Sequence, residues 1–275
     1  MRIATNVSSM VALRRVGDAN GELVDSEMKL SSGDRINRAA FDPAGLAISE
    51  KMKSKIRGMS QLTRNVNDGI SLLQVAEGSL NVIGDMTIRL KELALQSAND
   101  TITDSERSMA DVEFQHLKTE IGRLAQSTSF NGNLVLKNDG SVYEIQIGLD
   151  NQTNIDQITY NMQRTLGPVN ELRTTSLNIL NKSESQASLS KIDNLLGNIN
   201  ESKANLGSVS NRMTSVMQNV LVSKENLSSS NSKIRDTDIA AEASNRAALD
   251  IRRNASIAML AQANSRPGVI TKLLE

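Results

Sequence analysis

From Met52 to Ala94 the chain keeps an apolar or small residue at Met52, Ile56, Met59, Leu62, Val66, Ile70, Leu73, Ala76, Leu80, Ile83, Thr87, Leu90 and Ala94, with an average step of 3.5 residues. That is the period of a coiled-coil seam, which favours left-handed supercoiling against another helix. A helix over 44 to 99 would be on the order of 80 Å long and cannot bury its seam against itself. A partner lies in the same chain: Ile192, Leu196, Ile199, Lys203, Leu206, Val209, Met213, Val216, Val220, Ser223 and Leu227 again average 3.5 residues per step. Two matched seams so far apart predict a chain that goes out, turns and returns beside itself.

Composition supports rods over compact domains, because 275 residues hold only 3 prolines and, counting 3 Phe and 2 Tyr, five aromatics. Lys plus Arg equals Asp plus Glu at 31 each, which gives no electrostatic case for nucleic acid or an acidic membrane. The aromatics Phe41, Phe114, Phe130, Tyr143 and Tyr160 all lie towards the middle of the chain, so neither end carries a base-stacking platform. With no Cys, disulfides and thiol catalysis are excluded. No apolar run approaches the roughly 20 residues of a membrane span. The start, MRIATNVSSM, lacks the apolar core of a cleaved signal peptide, so any export is expected to use another route.

Residues 3 to 30 place Ile3, Val7, Met10, Leu13, Val16, Ala19, Leu23 and Leu30 at helical spacing, and Gly33 reads as the cap that ends this helix. Asp42 and Pro43 read as the N-cap and first residue of the long helix. Thr103 with Glu106 forms a capping-box pattern for a helix to about Ser127, whose apolar face is Met109, Val112, Leu117, Ile121 and Leu124. Leu134 to Lys137 and Val142 to Ile147, separated by Asn138, Asp139 and Gly140, predict a β-hairpin, with a third strand at 155 to 162. Residues 163 to 188 read as a return linker, 189 to 227 as the second seam, and the Ser228 to Ser232 cluster as its interruption. A last helix is expected from Asp236 or Asp238 to Asn264, closed by Pro267 and Gly268. The predicted fold is mainly α: long antiparallel coiled-coil rods, a small β-hairpin element at their distal end, and terminal helical arms.

Each arm is thinly apolar. Burying one Leu or Ile contributes about 1.5 to 3 kcal/mol, whereas ordering one residue's backbone costs about 1 to 2 kcal/mol. The arms are therefore expected to be frayed in a free monomer and helical when many copies pack together, the alternative being that they fold back on the rods. The expected inner assembly residues are Ile3, Val7, Met10, Leu13, Val16 and Leu23 with Ile239, Ala243, Ile257 and Leu260. The rod seam is expected to rest on Ile56, Leu73, Leu80, Ile83, Leu90, Leu196, Leu206, Met213 and Val220.

Little in the sequence supports catalysis. The single histidine, His116, excludes a multi-histidine metal site and reads as a helix-surface residue. Ser32, Gly33, Asp34 and Arg35 lack the Lys and preceding strand of a phosphate loop. Asp236, Asp238 and Glu242 could hold a hard cation weakly, and helix capping is the better reading. No enzyme and no cofactor are expected.

The stretches KLSSGDRINRAAFDPAGLAISEKM (29 to 52), RNVNDGISLLQVAEGSL (64 to 80), IRLKELALQSAND (88 to 100), TSFNGNLVL (128 to 136), SKIRDTDIAAEAS (232 to 244) and AMLAQANSRPGVITKLL (258 to 274) together resemble bacterial flagellins, the subunits of the flagellar filament. YEIQIG (143 to 148) is similar to the family's β segment, whereas ALDIRRNASIAML (248 to 260) is more basic and poorer in glycine than the family pattern. The resemblance implies a homo-polymer in which 1 to 42 plus 232 to 275 form an inner arm layer, and 43 to 231, with its hairpin at 133 to 162, the rod shell. Only about forty residues, 148 to 188, stand where many relatives insert outer domains, so those are expected to be absent.

The resemblance further implies an extracellular filament whose subunits are exported without a cleaved signal peptide, unfolded, through the flagellar type III apparatus after a chaperone holds the C-terminal arm. Its other implied partners are sibling flagellins, the filament cap, the hook-associated junction proteins and, in an animal host, an innate immune receptor at Arg89, Leu93 and Glu113. Two rivals remain at this stage. A hook-filament junction protein would share the arms and the export route, but the FNG turn and the QANSRP ending favour the filament subunit. A coiled-coil signalling rod would carry its heptads through the tip, where this chain places a glycine-containing β element.

Overall fold

The computed structural model describes residues 5–136, 142–150, 152, 155–161 and 177–271. It is mainly α, as the seams predict, and it forms two compact units: Met1–Ile56 with Glu225–Glu275, and Arg57–Lys224.

In the second unit the core comes from three helices. The first, α2 (Pro43–Ser97), enters this unit at Arg57, and α3 (Asp104–Ser127) returns beside it. Helix α4 (Lys182–Arg235) runs antiparallel to α2, since Lys91 pairs with Asp193 at 2.6 Å and Lys182 with Asp100 at 2.6 Å. Leu73, Leu80, Ile83 and Leu90 of α2 are buried with Phe114 and Ile121 of α3 and with Ile192, Ile199, Leu206 and Met213 of α4. The coiled-coil period is thus met by burial on both strands of the seam.

Local chemistry sets the ends of α3. Thr103 Oγ1 accepts from Glu106 N while the Glu106 carboxylate accepts from Thr103 N at 2.8 Å, closing the capping box. Arg107 then turns back over the end of α2, donating from Nε to Ser97 O and from Nη2 to Asn99 O, both at 2.9 Å. A cation on those carbonyls satisfies groups that the helix leaves without partners. Asp111 accepts from Ile179 N at 2.9 Å and Gln115 donates to Leu177 O at 2.8 Å, which fastens the returning chain to α3.

The strands pair differently from the sequence expectation. β1 (Ser129–Phe130) pairs with β2 (Asn133–Leu134) across Asn131 and Gly132, whose φ values of 50° and 84° suit the tight mirror-type turn. Val135 N continues this pairing by donating to Thr128 O at 3.0 Å, and Val135 and Leu136 are buried in the core. β3 (Val142–Gln146) pairs with β4 (Gln157–Asn161), with Tyr143 opposite Tyr160 and Ile145 opposite Ile158, and not with Leu134, which belongs to β2. The expected turn at 138 to 140 and most of the expected linker lie outside the described residues. This second hairpin rests on α2 where side chains are missing: a Cβ at Gly69 would stand 2.8 Å from Ile145 Cδ1, and one at Gly58 would stand 2.5 Å from Leu149 Cδ2.

In the first unit, α1 (Val7–Ser32) and α5 (Ile239–Thr271) are antiparallel: Glu22 pairs with Arg252 at 2.8 Å and Glu27 with Arg246 at 3.1 Å. Asn6 caps α1 by accepting from Ser9 N at 3.1 Å, and Gly33, at φ 73°, closes it by donating to Lys29 O. Asp42 accepts from Gly45 N at 2.8 Å at the start of α2, and Asp238 accepts from Ala240 N and Ala241 N at the start of α5.

Two expected breaks are absent. Helix α4 passes unbroken through Ser228 to Ser232, where Ser230 Oγ donates back to Asn226 O at 2.8 Å, a local bond that a helix accommodates. Helix α5 continues past Asn264 to Thr271, through Pro267. Proline has no N–H for the carbonyl four residues earlier, Ala263 O. Asn6 Nδ2 supplies that bond at 2.9 Å from the other arm.

Candidate assembly surfaces

The arm unit is held together by few apolar contacts. Along α1 only Ala19, Leu23 and Ser26 are buried, and on α5 Leu249 and Ala263 are the buried apolar residues among those described. Of the expected inner residues, Leu23 is buried and Val16 and Leu260 are half-buried. Val7, Met10, Leu13, Ile239, Ala243 and Ile257 are exposed, Met10 by 60% and Leu13 by 61%. Ile3 lies outside the described residues. Glycines at 17 and 21 weaken α1 further, each by about 1 kcal/mol relative to Ala.

Where the arms join the longer helices, a polar clasp replaces apolar packing. The backbones of Asp34 and Asp236 form an isolated bridge, with Arg35 N donating to Arg235 O at 2.6 Å and Thr237 N donating to Gly33 O at 2.8 Å. The guanidinium of Arg235 binds Asp34 at 2.9 Å and also Glu50, and these carboxylates, Glu50 foremost, raise its pKa. Arg235 is 15% exposed at its side chain, so it is screened less than the other arm pairs. Arg235→Ala is expected to destabilise the arm unit by about 1.5–3 kcal/mol, the range for hydrogen bonds to charged groups. Hydrogen exchange at the amides of Arg35 and Thr237 measures this, and unchanged protection there refutes it.

In the second unit, the expected seam residues Leu73, Leu80, Ile83, Leu90, Leu206, Met213 and Val220 are buried and Leu196 is half-buried, while Ile56, in the first unit, is also half-buried. Arg89 and Glu113 come together, Nε to Oε1 at 2.9 Å, and Arg89 also reaches Glu92 at 3.0 Å. These bonds, Glu113 first, raise the Arg89 pKa. Leu93 does not join them at the surface: at 2% exposure it belongs to the core. His116 is exposed on α3, the helix-surface position expected of it. Among the described residues no group of three or more His, Cys, Asp or Glu could hold a metal ion, and no helix is long and apolar enough to cross a membrane.

Arg235, Arg107 and Asn6 are the polar anchors that sequence reasoning missed. Asp34 and Arg235 are 201 residues apart and Asn6 and Ala263 are 257 apart, so no periodic pattern links them.

The chain matches the bacterial flagellin N-terminal helical region over residues 3–141 and the bacterial flagellin C-terminal helical region over residues 189–274. It is 37% identical to a flagellin of Halalkalibacterium halodurans over 276 residues, covering all of both chains. It is 35% identical, again over the whole of both chains, to a flagellar filament core protein of Treponema maltophilum. A crystal structure of Bacillus cereus flagellin is similar with a TM-score of 0.51 and 29% identity, covering 57% of this chain and 88% of that one. Matches to both regions of the family, together with relatives that share more than a third of their residues over the whole chain, show that the chain belongs to the bacterial flagellin family.

Proposed function

We infer that this chain is a structural subunit that polymerises with copies of itself into the flagellar filament and carries out no catalysis. The observation that carries this reading is the arm unit: Val7, Met10, Leu13, Ile257 and Met259 are exposed on helices that bury very little. Large exposed apolar groups on thinly packed helices find burial only against another surface. Copies of the same arms supply it. Residues 1 to 42 and 232 to 275 form the inner layer, 43 to 231 form the outer shell, and that shell is the filament surface because no outer domain is inserted.

The finer partners follow from the same reading. The subunit leaves the cell unfolded through the flagellar type III apparatus, with a chaperone on its C-terminal arm, and meets sibling flagellins, the cap and the junction proteins outside. Recognition by an innate immune receptor would use the exposed Arg89 and Glu113, with Leu93 acting from beneath by supporting them. Salting out the purified protein and viewing it by electron microscopy tests the central claim: helical tubes are expected, and discrete dimers under every condition would refute it.

A further inference from the structure

The equality of acidic and basic residues over the whole chain conceals a segregation within the arm unit. Residues 5 to 17 and 251 to 271, brought together where Asn6 and Ser9 bond Ala263 and Asn264, hold Arg14, Arg15, Arg252, Arg253 and Arg266 and no Asp or Glu. In residues 18 to 34 and 236 to 250, nearer the clasp, nine carboxylates stand against Lys29 and Arg246 alone. Those carboxylates are largely taken within the chain: Glu22, Asp25, Glu27, Asp34 and Asp250 each pair with an arginine, and Asp238 caps α5. Asp18, on the same side of α1 as Val11, marks the inner limit of the cationic end. At that end Arg14, Arg15 and Arg266 form no ion pair with a described residue, so their complement comes from outside the chain.

The same end is apolar. A groove of about 400 Å³ between α1 and α5 is lined by Val11, Ala12 and Met259 together with Arg15, Arg252 and Arg266. Val7, Met10, Leu13 and Ile257 are exposed beyond it. At about 100° per residue, Leu13 stands roughly 160° round α1 from Val11, so apolar side chains emerge on both sides of the helix pair. A groove in a protein partner receives one apolar stripe of a helix. A bilayer surface encloses the end of the pair from several sides. Arginine suits that surface, because its stem lies along apolar groups while its guanidinium forks onto phosphate oxygens. Helices with arginines between exposed apolar side chains seat themselves in the headgroup region.

We propose that the cationic, apolar end of the arm unit docks the unassembled subunit on an anionic bilayer surface, with Arg14, Arg15 and Arg266 on lipid phosphates and Leu13, Val11 and Met259 among the headgroups. The docking goes beyond the filament reading and belongs to the subunit before it polymerises. Its use rests on that reading: a subunit made inside the cell and exported across the membrane meets the anionic cytoplasmic leaflet first, and docking there concentrates it at the surface from which it leaves.

Sedimentation of the unassembled full chain with vesicles tests this. Binding to phosphatidylglycerol vesicles is expected, weakened by added salt, with little binding to phosphatidylcholine vesicles. Arg14→Gln/Arg15→Gln/Arg266→Gln should weaken it by about fivefold per arginine, on the order of a hundredfold together. Glutamine forms helix nearly as well as arginine, so ellipticity should hold. Lys51→Gln/Lys55→Gln/Arg57→Gln removes the same charge from exposed positions on α2 and should bind as wild type does. Equal losses in the two variants, or equal binding to the two lipids, overturn the proposal. The chain has no Trp, so Leu13→Trp adds a single reporter whose emission is expected to shift to the blue on phosphatidylglycerol vesicles. Unshifted emission shows that the arm end is not seated among the headgroups, and the proposal fails. Capture by immobilised polyglutamate without capture by phosphatidylglycerol would assign the arginines to an acidic protein instead. Tubes on salting out test the filament reading by a separate measurement, so either reading can fail alone.

Discussion

Deleting residues 1–30 is expected to abolish polymerisation while leaving most of the helix intact. The deletion removes nearly all of α1 and with it Ala19, Leu23 and Ser26, the buried residues opposite α5. Helix α5 then has no antiparallel partner. Of its large apolar residues, Ile239, Ile251, Ile257 and Met259 are already exposed in the intact chain, so it should melt. The core of the second unit, from Val66 to Met213, loses nothing. Helices α2, α3 and α4 hold 55, 24 and 54 residues against 26 and 33 in α1 and α5, so ellipticity should fall by no more than about a third. Circular dichroism and electron microscopy on the same sample check both halves of the expectation. Long tubes from the truncated protein would show that the N-terminal arm is dispensable.

Phe114→Ala should produce the largest loss of stability from a single substitution in the second unit. Phe114 is fully buried on α3 within the core that α2 and α4 share. Removing a buried phenyl ring forfeits its transfer energy and leaves a cavity, at a cost of about 3–5 kcal/mol. Because the chain has two compact units, one global unfolding curve need not be two-state, and amide exchange within α3 is the sharper measurement. A loss below about 1 kcal/mol would mean that the site collapses around the missing ring, contrary to packing this tight. The effect on the arms should be small, since Phe114 belongs to the other unit.

What the sequence disclosed follows from what repeats in it. The 3.5-residue steps that begin at Met52 and Ile192 found the facing helices because each buried position constrains the next. Thr103 with Glu106, and Asp42 with Pro43, were readable because a cap is local chemistry within four residues. The strands were harder. Asn131 and Gly132 make a tight turn of their own between β1 and β2, which leaves Leu134 paired with Ser129 and not with the strand at 142. The Ser228 to Ser232 cluster was misleading because serine can bond within a helix as well as break one. At the candidate site, Arg89 and Glu113 pair across 24 residues of chain, a contact with no sequence signal, while Leu93 is buried in the core. The Arg235 clasp was invisible because a pair formed across 201 residues leaves no periodic trace.

Asn6 gives the two chain ends a shared fate. Its carbonyl oxygen holds the first turn of α1, and its amide nitrogen holds the α5 carbonyl that Pro267 leaves without a donor. The first turn of α1 cannot open without releasing that one side chain and so loosening its bond to Ala263 of α5. An insertion beside Asn6 should therefore be felt some 260 residues away along the chain, so the N-terminal end of α1 is a poor place for a label meant to leave α5 undisturbed.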